Sequence, residues 1–308
     1  MYFPVLRGKQ FELIALRELA KLGLSNHFVP VIEPVKKISN PFIKTIKELN
    51  EGDIHPIVII NSALGEEESA EDVMRLLNNA GVTFLPCISF ESHHSAIQFS
   101  ELQDYLSQTP HVLYIKDISD ESIFSKLDKV EIILLEESTS KASQAASFLD
   151  IPVVVIEDGF DKKLKNADYP SLTNFSSAIG EYKSLGLHGF GDYTITGSSF
   201  AEGGGPAYVV ALHLSQVLKS QKKSIFSSKT QIVVNHFCSE NNGSYADPAG
   251  KFFEALTKLI SFLDEGEIFE TNSIGEFRKL YNSEHFPGLG AVKKLSVSHH
   301  IEIISRSI

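Results

Sequence analysis

The chain has 308 residues, and its 28 basic and 39 acidic side chains give a formal charge of −11. That balance argues against a protein that holds nucleic acid by charge alone, because such affinity comes from Lys and Arg at phosphates. Hydrophobic residues at 43% with 22% charged exclude wholesale disorder and a collagen-like repeat. Cys87 and Cys238 match no metal or redox spacing and fit a reducing compartment. No apolar run reaches the roughly 18 residues that span a bilayer. The start, MYFPVLRGKQFEL, lacks the basic region and cleavage site of a signal peptide. The expectation is a cytoplasmic protein with no membrane partner.

Short β-branched runs alternate with helix-length amphipathic segments. Strands are predicted over 2–7, 27–34, 55–61, 83–90, 111–117, 130–137, 151–158 and 189–195. The first five begin about 27 residues apart, the length of one βα unit. Helices are predicted over 11–24, where Gly23 supplies the stop, and over 69–81, with Ser69 at the cap and acidic residues in the first turn. Two more are predicted over 93–106 and 141–149. Eight parallel strands with crossover helices point to an α/β fold, a (β/α)8 TIM-like barrel. An open doubly wound sheet is the alternative, disfavoured because no Gly-rich turn follows the first strand.

After residue 196 the rhythm breaks. The small-residue loop TGSSFAEGGGP precedes two β-rich segments, 207–215 and 231–239, which read as a hairpin, although the first could be helical behind Pro206. The segment 247–266 is a clear amphipathic helix, and two shorter helices are expected near 275–282 and 290–306. The organisation read from this is a barrel core over 1–196 and a C-terminal elaboration of hairpin and helices over 197–308, packed as one domain.

Several short motifs resemble the bacterial and phage "beta protein" family. They are Tyr2, Pro4, Leu6, Lys9, Glu12 and Ala15-Leu16 near the start, the strand from Pro30 to Glu33, and Gly191-Asp192-Tyr193. The helix AGKFFEALTKL and the terminal SVSHHIEII are similar to one subgroup. The resemblance implies a setting: a gene beside a nuclease-like protein partner in mobile or anti-phage defence islands. It implies no reaction.

The chemistry is argued from position, because barrel active sites form at the C-terminal strand ends. Those ends carry Arg7, Glu33, Asn61, Ser89 with Glu91, Lys116 with Asp117, Glu136 with Glu137, Glu157 with Asp158, and Asp192. Any strand leaving a core turns polar, which accounts for part of this set. Clustered carboxylates need a compensating cation, which a bound metal or the local cations Arg7, Lys9 and Lys116 would supply; Glu33, Asp117, Glu157 and Asp192 are the residues expected to hold Mg²⁺ or Mn²⁺, with no organic cofactor. Lys9, Arg7, Glu157, Asp192 and His236 are the candidate catalytic residues, and Gly203, Gly204 and Gly205 a candidate anion-binding loop. His213 and His236 become cross-strand neighbours if the hairpin forms. One expected function is a divalent-metal-dependent phosphoesterase or nuclease-type hydrolase acting on a phosphorylated small molecule, nucleotide or nucleic-acid end. The other is a non-catalytic scaffold or sensor that binds the nuclease-like partner. A catalytic barrel brings at least three of the carboxylates to one mouth, whereas a scaffold fills that mouth with apolar side chains.

Overall fold

Eight short strands pair in parallel and close into a barrel in the computed structural model, which describes residues 1–66, 68–91, 106–116, 127–201, 203, 208–219, 230–240, 243–266 and 268–308. The staves are β1 (Tyr2–Leu6), β2 (Val31–Ile32), β3 (Ile57–Ile59), β4 (Leu85–Phe90), β5 (His111–Ile115), β6 (Val130–Glu136) and β7 (Val153–Glu157). The next strand, β8 (Leu172–Ser176), joins a different sheet, and β9 (Gly189–Asp192) completes the barrel between β7 and β1. Closure is carried by the register Phe3↔Gly191 on one side of β9 and Ile156↔Gly191 on the other. All eight barrel strands lie within the predicted ones.

Alternate residues turn inward. Phe3, Val5, Val31, Ile59, Cys87 and Leu134 belong to one buried interior cluster that also takes in Tyr114, Ile156 and Tyr193. Helices follow the strands: α1 (Gln10–Leu19), α2 (Asn40–Glu51), α3 (Ala70–Asn79) and α4 (Thr139–Phe148). At α3 the Ser69 hydroxyl accepts from the Asp72 amide at 3.2 Å, the cap read from the sequence. Helix α2 was not predicted; Ser39 precedes it, Pro41 lies in its first turn, and Phe42, Ile46 and Leu49 form its buried stripe. The helix expected over 93–106 lies outside the described residues, Leu106 excepted.

The chain divides into two compact units, residues 1–157 with 181–193 and residues 158–180 with 194–308. The expected boundary at 196 is therefore corrected. Residues 158–180 leave the barrel because β8 pairs antiparallel with β11 (Thr230–Cys238), through Asn174↔Val233 and Leu172↔Asn235, and a short helix α5 (Ala178–Glu181) follows. The predicted hairpin is present, with β10 (Ala211–Lys219) extended, not helical, and the sheet runs in the order β10-β11-β8. Leu212, Leu214 and Phe237 of this sheet share a core with Phe252, Leu256 and Leu259 of α6 (Pro248–Glu265). Two helices complete the unit, α7 (Asn272–Asn282) and α8 (Leu289–Ser305), the first starting three residues before its predicted range of 275–282 and the second within one residue of its predicted range of 290–306. Among the described residues, no helix is long and apolar enough to cross a membrane.

The barrel seam depends on two glycines. A Cβ on Gly191 would lie 2.1 Å from the Phe3 carbonyl oxygen, and one on Gly189 would lie 2.6 Å from the Phe3 ring. Backbone cannot retreat from such contacts without opening the ladder. Gly191→Ala is expected to destabilise the protein by about 3 kcal/mol, read as a lower midpoint in urea unfolding, whereas Gly203→Ala, with nothing near its Cβ, leaves the midpoint unchanged.

Candidate active site at the carboxyl-terminal end of the barrel

The inward alternation that buries Val5, Val31 and Cys87 carries on to the strand ends, where the next inward positions are Arg7, Glu33 and Ser89. Glu33 is fully buried and its Oε2 pairs with the Arg7 guanidinium, itself 7% exposed. Its other oxygen, Oε1, accepts from Ser62 Oγ at 3.3 Å and lies 3.7 Å from Lys116 Nζ. Lys116 reaches onward to Glu91 at 3.1 Å. The base of the cluster is fixed by Glu12 of α1, whose carboxylate accepts from the backbone N–H groups of Arg7 at 2.9 Å and Lys9 at 3.2 Å.

A second group faces this one. The phenols of Tyr114 and Tyr193 approach Glu136 Oε2 at 2.7 and 2.6 Å and each other at 2.6 Å. Burial, reinforced by the neighbouring Glu136 charge, raises the pKa of both phenols, so they stay protonated and act as donors. Two phenolic hydrogens thus serve three short contacts, and the trio can exchange donors. The Arg7 guanidinium lies 4.9 Å from the centre of the Tyr193 ring, and Lys116 Nζ lies 5.3 Å from that of Tyr114. The two groups therefore form one circuit: Glu33, Arg7, Tyr193, Tyr114, Lys116 and back to Glu33. Among the described residues it gathers three of the strand-end carboxylates, Glu33, Glu91 and Glu136, around two cations, Arg7 and Lys116.

The expected metal quartet is divided by the same alternation. Ile156 and Tyr193 point inward, so Glu157 and Asp192, one residue away from each, point out of the barrel. Glu157 accepts from Thr139 Oγ1 at the start of α4 at 3.3 Å, and Asp192 from the Tyr2 hydroxyl at 2.8 Å. Glu33 is thus not brought together with either of them, and Asp117 lies outside the described residues. Among the described residues, no group of three His, Cys, Asp or Glu is placed to hold a metal ion. Lys9 caps α1. Gly203 has nothing within 4 Å of its would-be Cβ, so no close approach requires a glycine there; Gly204 and Gly205 lie outside the described residues. Asp158, in the second unit, accepts from Ser198 through both its amide at 3.0 Å and its hydroxyl at 2.6 Å.

His236 belongs to the second unit and does not enter the barrel circuit. It stands opposite His213 in the β10–β11 register, as the sequence allowed, with the two Nδ1 atoms 2.8 Å apart. Thr173 Oγ1 lies 2.8 Å from His236 Nε2, and Tyr169 stacks on the imidazole at 4.7 Å. Tyr114 and Ser62 are members of the barrel site that the sequence did not single out, and Tyr193 entered there only as part of a family motif, not as a site residue.

No family model matches this chain, and no curated protein matches it either.

Glu33 is the hub of the circuit, and neutralising it removes the carboxylate that pairs with the buried Arg7 guanidinium, while Lys116 keeps its ion pair with Glu91. Glu33→Gln is expected to cost about 3 kcal/mol in urea unfolding, and adding Arg7→Met to a Glu33→Leu background recovers most of it. The second unit has its own pH signature. Burial, with the charge of His236 adding to it, lowers His213 to about 3; burial also lowers His236 and His299 to about 4. The unfolded chain takes up these protons near pH 6.5, so the folded state binds fewer of them. Stability is full above about pH 6.5 and falls as the pH drops toward 4. Urea midpoints followed by circular dichroism downward from neutral pH should decline, and less steeply in His213→Asn.

Proposed function

We propose that this chain is a barrel enzyme whose active site is the circuit at the carboxyl-terminal mouth, performing proton transfer on a small polar substrate. The observation that carries the reading is the convergence of ionisable side chains from β1, β2, β4, β5 and β6 on that one end. A scaffold would leave the mouth apolar. In this reading Glu136 accepts the proton, held in place by two phenols that keep theirs, and Arg7 and Lys116 stabilise negative charge as it develops on the substrate. The substrate meets Glu136 through Oε1, since both phenols converge on Oε2. A phosphorylated substrate needs an accompanying divalent cation here, because three carboxylates already outnumber two cations; Mg²⁺ or Mn²⁺ with a phosphate ester is therefore one arm of the test. The resemblance to the "beta protein" family extends the proposal to a setting in the cytoplasm beside a nuclease-like partner in anti-phage defence.

A ligand of the mouth stabilises the folded protein by mass action. Metabolite panels, with and without Mg²⁺ or Mn²⁺, should raise the melting temperature of the wild type. Glu136→Gln and Lys116→Ala should each weaken that ligand by about tenfold or more, the worth of one charge-assisted contact. Equal stabilisation of wild type and both variants would falsify the site. For the setting, Lys116→Ala in the intact gene pair should abolish protection in a plaque assay.

A further inference from the structure

Ser89 sits among the groups of this mouth with its chemistry unused. Its side chain is buried, at 2% exposure, and its Oγ has no hydrogen-bond partner among the described residues. A buried hydroxyl in that condition is rare in a native core, because it has given up water for nothing. The alternation along β4 aims it inward: Cys87, two residues earlier, lines the interior, and Ser89 stands in register with Tyr114, another interior residue. Its position is also fixed. The Ser89 N–H donates to Asn61 Oδ1 at 2.8 Å, and its carbonyl accepts from Asn61 Nδ2 at 2.9 Å, so one carboxamide clamps the backbone on both sides. His111 Nε2 is likewise unpartnered and buried, but it lies at the amino-terminal start of β5.

The surroundings restrict what could meet the hydroxyl. The charges of Arg7 and Lys116 are already matched by Glu33 and Glu91, and Glu136 adds a third carboxylate, so a group that arrives with full negative charge meets a mouth with an excess of its own sign. An ammonium only donates, which would leave the serine proton unplaced. A neutral hydroxyl both donates and accepts, as serine does. The same ligand can reach Glu136 Oε1 with a second hydroxyl.

We propose that Ser89 is a ligand-contact residue of the barrel mouth, and that the ligand is a neutral polyhydroxylated molecule, a sugar or cyclitol, with one hydroxyl on Ser89 Oγ and another on Glu136 Oε1. The inference rests on the mouth being the active site and adds its substrate class.

The test is isothermal titration of the full chain with D-glucose, D-ribose and myo-inositol, set beside glucose 6-phosphate with and without Mg²⁺ and beside spermidine. At least one neutral ligand binds the wild type, and Ser89→Ala weakens it by about tenfold while the melting temperature of the ligand-free protein holds or rises, since no side-chain hydrogen bond among the described residues is lost. Unchanged affinity in Ser89→Ala with loss in Glu136→Gln overturns the role of Ser89 and leaves the mouth intact as a site. Binding confined to the phosphate ester or the polyamine, or no binding at all, overturns the polyhydroxyl class. A drop in the melting temperature of ligand-free Ser89→Ala overturns the proposal as well, because the hydroxyl would then be serving a buried water. Binding that ignores Glu136→Gln and Lys116→Ala alike removes the active-site reading itself.

Discussion

Closing eight parallel strands into a barrel commits every second side chain to a shared interior, and the strands have to keep that phase to their ends. Below, the phase is satisfied by Phe3, Val5, Val31 and Leu134. Above, it delivers Arg7, Glu33, Ser89 and Lys116 into the same enclosed space, where an isolated charge is costly. The ion pair between Arg7 and Glu33 is the answer to that constraint, and Ser62, Lys116 and the phenols are arranged around it. One buried carboxylate thus ties together β1, β2, the end of β3 and β5.

The closing strand is where geometry and site meet. Gly189 and Gly191 contribute no inward side chain, so the Phe3 ring fills that part of the barrel. The first inward residue of β9 with any bulk comes only past its end, at Tyr193, level with Arg7 and Glu136. The same two glycines that let the barrel close therefore deliver an aromatic hydroxyl to its mouth.

Most of the staves were legible because parallel strands covered on both faces read as continuous apolar runs, β-branched in β2, β3 and β7, whereas β9, GFGD, carries no β-branched residue. That continuity is also why the site was only half legible. VVVI in β7 has no apolar-polar alternation, so nothing in it tells which way Glu157 points, and strand-end carboxylates of opposite phase look alike until the register is known. Tyr114 and Tyr193 read as core aromatics; only the pairing of β5 with β6 and of β9 with its neighbours brings them to Glu136. Strand β8 escaped notice because LTNFS is short and half polar, and its place is set by its partner β11. Helix α2 was within reach, since Ser39, Pro41 and the spacing of Phe42, Ile46 and Leu49 are start and stripe signals.

The chain passes between its two units three times, after residues 157, 180 and 193. No single cut yields either unit whole: ending the chain before residue 158 removes the stave that seals the barrel, and beginning it at 194 strips the second sheet of β8 and bares the edge of β11. During synthesis, the barrel likewise stays open until the excursion through 158–180 has been made. The order of the sequence thus makes the two units interdependent in assembly, though each holds a core of its own.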